Sequence, residues 1–163
     1  MAAQPELFCF AEAPPVAQDV ARGVARLLFR QDAYALCEVP LVNHRRADLM
    51  ALDAKGFITI IEIKVAMGDL RGDAKWRDYL DFCDRFYWAV PPGPLADAVE
   101  REACFAPELA GLIVADRYDA AVVREAAFQP LAPARRKAET LRFARRAARR
   151  LAGDLDPGLA GLD

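Results

Sequence analysis

The stretch Arg45-Arg46-Ala47-Asp48-Leu49-Met50-Ala51-Leu52-Asp53-Ala54-Lys55-Gly56-Phe57-Ile58-Thr59-Ile60-Ile61-Glu62-Ile63-Lys64 decides the fold. Two apolar runs flank Asp53-Ala54-Lys55-Gly56-Phe57, which reads as a hairpin loop with glycine where a type I turn plus G1 bulge needs a left-handed residue. Pairing Asp53 with Phe57 sets Leu52 opposite Ile58, Met50 opposite Ile60 and Asp48 opposite Glu62 on one face. Ala51/Thr59, Leu49/Ile61 and Ala47/Ile63 then occupy the other, so every apolar residue meets an apolar partner.

Directly opposed residues have Cβ atoms roughly 4.5–5.5 Å apart, and like charges so placed destabilise a sheet. Strand alternation returns Lys64 to the face of Glu62, about 6–7 Å along, but one ammonium does not neutralise two carboxylates. A hard divalent cation such as Mg²⁺ takes one or two carboxylates plus waters and leaves positions open for a phosphate. By itself, Glu-x-Lys at a strand end is an ordinary pair of solvated charges. Here Ile58 and Ile60 share the face of Glu62 and Lys64, while Ile61 and Ile63 line the other, so the strand reads as buried on both sides. Buried charges are paired or bind metal.

Ala47-Asp48, a hairpin, then Glu62-Ile63-Lys64 resembles the PD-(D/E)xK motif of the restriction-endonuclease-like nucleases. The order of elements is similar too: a helix over 15–31, strands at 34–42, 48–52 and 57–65, a helix at 69–84 and a strand at 86–90, an αβββαβ core in an α/β fold. More narrowly, Arg45-Arg46-Ala47-Asp48-Leu49, Ile61-Glu62-Ile63-Lys64, Asp73-Ala74-Lys75-Trp76 and Asp84-Arg85-Phe86-Tyr87-Trp88-Ala89-Val90-Pro91 look like the bacterial MmcB-type DNA-repair proteins. Gly111-Leu112-Ile113-Val114-Ala115-Asp116-Arg117-Tyr118 and the arginine-rich tail fit the same family, so the resemblance spans residues 17–151.

The resemblance implies that Asp48 and Glu62 ligate Mg²⁺ or Mn²⁺, that the Ile63 carbonyl joins them, and that Lys64 orients or activates the attacking water. Asp48, Glu62 and Lys64 are thus the expected catalytic residues of a Mg²⁺-dependent endonuclease acting on DNA in repair. Ala47 stands where the motif has proline, a departure that removes no ligand. The family also accommodates the alternative of a non-catalytic DNA-binding or adaptor module in a repair complex.

At 163 residues, 55% of them hydrophobic, the chain suits one domain. We expect a nuclease-like domain over 15–130, a basic helix over 131–153, and loose ends at 1–14 and 154–163. The net charge of −2 hides a segregated distribution. Arg135, Arg136, Lys137, Arg142, Arg145, Arg146, Arg149 and Arg150 against Glu139 give the tail +7, leaving −9 for the remainder. Each phosphate neutralised by such a segment releases counterions and gives salt-dependent affinity. Pro133 suits the first turn of this helix, Gly153 its end, and Leu141, Ala144, Ala148 and Leu151 form an apolar stripe. The arginines suit DNA, with Arg142, Arg145, Arg146 and Arg149 as candidates, or equally a helix docked on the acidic body. The mostly alanine stripe argues against a membrane surface.

Near the expected site, Arg71 and Lys75 fall one helical turn apart and could face DNA. Trp76, Tyr79, Leu80 and Cys83 read as a core stripe. Arg45 and Arg46 are either phosphate contacts or an ordinary charged loop, and Glu38 is either an accessory acid or a surface carboxylate. Cys9, Cys37, Cys83 and Cys104 lack metal or redox spacing and read as reduced thiols. A single histidine, His44, excludes a His-rich metal site, and there is no glycine-rich phosphate loop. A second hairpin is expected at 112–115 and 120–123. Without a signal peptide or apolar span, a cytoplasmic location is expected.

Overall fold

Val20, Val24, Leu27 and Leu28 recur at helical spacing, and they bury one side of α1 (Pro15–Arg30) in the computed structural model, which describes residues 15–159. Expectations for 1–14 and 160–163 lie outside the described residues. Six strands follow: β1 (Ala33–Pro40), β2 (Arg46–Asp53), β3 (Ile58–Ile63), β4 (Arg85–Val90), β5 (Gly111–Ala115) and β6 (Ala120–Arg124), ordered in the sheet as in the chain. β1/β2, β2/β3 and β5/β6 pair antiparallel, while β3/β4 and β4/β5 pair parallel. The two parallel pairs need crossovers. The first contains α2 (Met67–Gly72) and a 3₁₀ helix (Trp76–Phe82), the second α3 (Pro94–Arg101). The result is an α/β mixed sheet flanked by helices, consistent with a restriction-endonuclease-like core.

The hairpin has the expected register, with Leu49↔Ile61, Met50↔Ile60, Ala51↔Thr59 and Leu52↔Ile58. Gly56 sits at φ +80°. The Asp53 carboxylate accepts the Lys55 and Phe57 N–H groups at 2.8 and 2.9 Å, so the aspartate closes the loop that the glycine permits. Met50, Ile58 and Ile60 join Phe86, Trp88 and Leu112 in one core, whereas Leu49, Ala51 and Ile61 face α1 in the other.

Two expectations are corrected. Ala47 packs with Val39, Leu41 and Met50 rather than on the α1 face. Between Cys37↔Leu49 and Val39↔Ala47 the β1–β2 ladder skips Glu38 and Asp48, and Glu38 takes φ +51°, which breaks the alternation. A non-glycine residue held there costs about 1–3 kcal/mol. The helix expected over 69–84 is two pieces, because Gly72 ends α2 and Asp73 leaves helical geometry at φ −82°, ψ 75°. Arg71 and Lys75 therefore do not share a helix face, although Trp76, Tyr79 and Cys83 are buried as a core stripe should be. Cys83 and Cys104 are free thiols, in line with their reading as reduced.

The basic segment forms α4 (Pro133–Leu155) with proline in its first turn, and it runs past Gly153 into residues expected to be loose. Its docking face is not the alanine–leucine stripe: Leu141 and Leu151 are 59% and 61% exposed. Arg136 instead forks onto the buried Asp84 carboxylate, Arg135 lies over the Phe82 ring, Glu139 is buried, and Phe143 packs against the core. Asp84 also accepts the Ile58 and Leu131 N–H groups at 2.8 and 2.9 Å. Burial opposes its charge, but the Arg136 fork and these two N–H groups outweigh it and hold the carboxyl below the usual range. Among the described residues, no helix is long and apolar enough to cross a membrane.

Candidate metal centre

Asp48 and Glu62 meet where two strands part. The β2–β3 ladder ends at Leu49↔Ile61, while β2 continues along β1 to Arg46 and β3 continues along β4 to Ile63. The opening is bridged by side chains. Ile63 N–H donates to Asp48 Oδ2 at 2.8 Å, and Asp48 N–H donates to Glu62 Oε1 at 3.2 Å. Each acid thus replaces a ladder bond of the other's strand, which fixes both carboxylates side by side.

The electrostatics are unfavourable as they stand. Glu62 is 3% exposed. Burial first, and the neighbouring Asp48 charge second, push its carboxyl up to about 8, against the pull of Lys64 and the Asp48 N–H. Burial also raises Asp48, opposed by the Ile63 N–H and by Lys64. Lys64 Nζ lies 2.7 Å from Asp73 Oδ2 and 3.7 Å from Glu62 Oε2. Burial disfavours its charge, but Asp73 and the two site acids overcome this and raise its pKa.

Glu38 stands opposite Asp48 on β1, adds repulsion to it, and pairs with Arg46. Tyr79 closes another side, donating to the Arg46 carbonyl at 3.0 Å; burial and the facing Glu62, Asp48 and Asp73 raise its hydroxyl pKa.

With every group ionised, Glu38, Asp48, Glu62 and Asp73 outnumber Lys64 and Arg46 by two charges. That surplus suits a divalent cation. Among the described residues no cluster of three or more His, Cys, Asp or Glu is arranged to hold a metal by itself. Mg²⁺ does not need one, since one or two carboxylates complemented by water and phosphate oxygens suffice. Glu38 and Asp73 are engaged with the two cations, which leaves Asp48 and Glu62, with the Ile63 backbone, as the donor set that fits.

A family model for MmcB-like DNA repair proteins matches residues 11–158. The chain belongs to the MmcB-like family of DNA repair proteins. A solved structure of a protein of unknown function from Silicibacter pomeroyi is 43% identical to this MmcB-like chain, covers 93% of it and 98% of its own length, and superposes with a TM-score of 0.78. No curated protein matches the chain.

The remaining expected site residues of this MmcB-like protein are cations that differ in exposure. Arg45 is held by Asp78 at 2.8 Å, Arg71 by Glu102 at 2.6 Å and Arg142 by Glu139 at 2.5 Å. Lys75, Arg145 and Arg149 are exposed and Arg146 is half-exposed. Sequence reasoning missed three groups. Asp73 and the Tyr79 hydroxyl come to the site through the broken crossover, and Arg150 donates to the Cys37 and Glu38 carbonyls. That last contact carries the basic helix to the strand facing Asp48. A lysine-seeking acid eleven residues from Glu62, across a loop, leaves no periodic signal in the sequence.

Proposed function

We propose that this protein is a Mg²⁺- or Mn²⁺-dependent deoxyribonuclease of the PD-(D/E)xK type that hydrolyses phosphodiesters during DNA repair. The observation that carries the reading is the mutually repelling pair of the buried Glu62 and half-buried Asp48 carboxylates at the β2–β3 opening beside Lys64. Asp48, Glu62 and the Ile63 carbonyl would hold the cation. When bound, such an ion polarises a phosphoryl oxygen and lowers the pKa of a coordinated water. Lys64 supplies fixed positive charge where the phosphorane-like transition state gains negative charge, a contribution of about 3–4 kcal/mol for one preorganised donor. Arg145 and Arg146 of α4, in no ion pair among the described residues, together with Lys75, offer contacts to the DNA backbone.

The test is cleavage of single-stranded, flapped, branched and crosslinked DNA with Mg²⁺ or Mn²⁺, using wild type, Asp48→Asn and Lys64→Ala. Both variants should lose cleavage by at least about 10²-fold while keeping their fold, and calorimetry should show divalent binding lost in Asp48→Ala. Unchanged cleavage in either variant removes the assignment. The rival reading, a non-catalytic DNA-binding or adaptor module, draws on the same cations of α4, which do not require the acidic site. DNA retention without divalent-dependent cleavage of any substrate would favour it.

A further inference from the structure

Asp73 lies outside the acid pair and outside both strands that carry it, yet Lys64 is closer to it than to Glu62, at 2.7 against 3.7 Å. Its carboxylate is itself fixed. Oδ1 accepts the Lys75 N–H at 3.2 Å, the Asp73 N–H donates to the Leu70 carbonyl at 3.4 Å, and the segment is pinned at either end by buried Leu70 and Trp76. Asp73 and Lys64 have equally sheltered side chains, each 15% exposed. A solvated surface ion pair contributes little, but this one is sheltered and braced by backbone.

We propose that Asp73 is a positioning residue that holds the Lys64 ammonium to one side of Asp48 and Glu62, so that the lysine neither swings freely nor closes between the two carboxylates. A lysine side chain has four rotatable bonds and about 2 kcal/mol of rotamer entropy. Released from Asp73, its nearest anion is Glu62, and the move that satisfies the ammonium also fills the space a cation needs. Asp73 therefore has two consequences: it aims Lys64, and it keeps lysine from competing with the divalent ion. The α2–3₁₀ crossover, through this one carboxylate, becomes part of the site.

The catalytic consequence rests on the nuclease reading, whereas the geometric one does not, and the experiment separates them. Asp73→Asn, Asp73→Glu and wild type are compared by the ¹⁵N–¹H signal of the Lys64 ammonium, assigned with Lys64→Arg, and by calorimetry with Mn²⁺ alone. Thermal melts of each variant identify folded protein. Asp73→Asn should shift or broaden the ammonium signal beyond detection and weaken Mn²⁺ binding by about 10–100-fold, the usual cost of losing an outer-shell partner. Asp73→Glu should recover part of both. Where cleavage is measurable, kcat should fall with KM for DNA unchanged.

An unaltered ammonium signal together with unaltered Mn²⁺ affinity in folded Asp73→Asn overturns the proposal. Absence of cleavage in wild type overturns the nuclease reading but leaves the signal and the affinity to decide the role of Asp73.

Discussion

Replacing Glu62 by glutamine should make the metal-free protein more stable at alkaline pH while disabling its site. Free glutamate titrates at 4.5, and the folded-state value is about 8. Below 4.5 Glu62 is protonated in both states. Between 4.5 and 8 the folded chain keeps a proton that the unfolded chain releases, so stability falls as pH rises through this window and levels off above it. At about 1.4 kcal/mol per pKa unit, ionising the folded carboxyl costs on the order of 5 kcal/mol.

Glutamine keeps the shape and can still accept the Asp48 N–H, and the attraction to Lys64 at 3.7 Å that it gives up is already contained in the folded-state value. The net gain at pH 9 is then on the order of 5 kcal/mol, or about 10–20 °C in Tm for a chain of this size. Circular-dichroism melts in EDTA at pH 5, 7 and 9 measure it. Wild type should lose Tm steadily across the series and Glu62→Gln should not, and Mg²⁺ at pH 9 should restore wild type alone. A variant that melts at or below wild type at pH 9, with the same pH slope, refutes the account of the site as a costly charge pair.

Asp84→Ala should lose about 3–5 kcal/mol, because it removes the fully buried acceptor of the half-buried Arg136 fork and of two backbone donors; urea midpoints at pH 7 check this. Since the folded Asp84 pKa is depressed, its contribution is present above 3.8 and disappears as pH falls through the lower folded value, so wild type and variant should converge in acid. Gly23→Ala would drive a methyl into the Asp116 and Asp119 carbonyl oxygens, and Gly111→Ala into the Tyr87 ring. Each should cost about 1–3 kcal/mol, read as a lower Tm, and an unchanged Tm would show that α1 or β5 shifts freely. Arg145→Glu with Arg146→Glu should flatten the salt dependence of DNA affinity by about 0.9 in log–log slope per lost phosphate contact, measured by anisotropy. An unaltered slope removes these two from the DNA interface.

The hairpin was legible because three local signals agree: an aspartate that can cap a loop, a glycine that can enter positive φ, and alternating apolar residues that match in one register only. The same agreement placed Asp48 across from Glu62. It failed one residue further, at Ala47, since the turn of the β1 backbone at Glu38 depends on contacts that alternation does not encode. The basic helix shows a second limit. Counting apolar residues selected the side bearing Leu141 and Leu151, but the helix docks through Arg136, Glu139, Phe143 and Arg150, whose burial depends on partners as distant as Asp84 and Cys37. Asp73 was hidden for the same reason, as its value lies in reaching Lys64 across a crossover that the helical pattern had read as continuous.

The amide protons of Asp48 and Ile63 donate to carboxylates just beyond the point where β2 and β3 cease to pair. Their exchange with deuterated solvent is therefore a built-in gauge of what fills the gap. A proton, Lys64 and, on the proposed function, a metal ion draw on the same two carboxylates that these amides use, so occupancy can be timed residue by residue without any substrate.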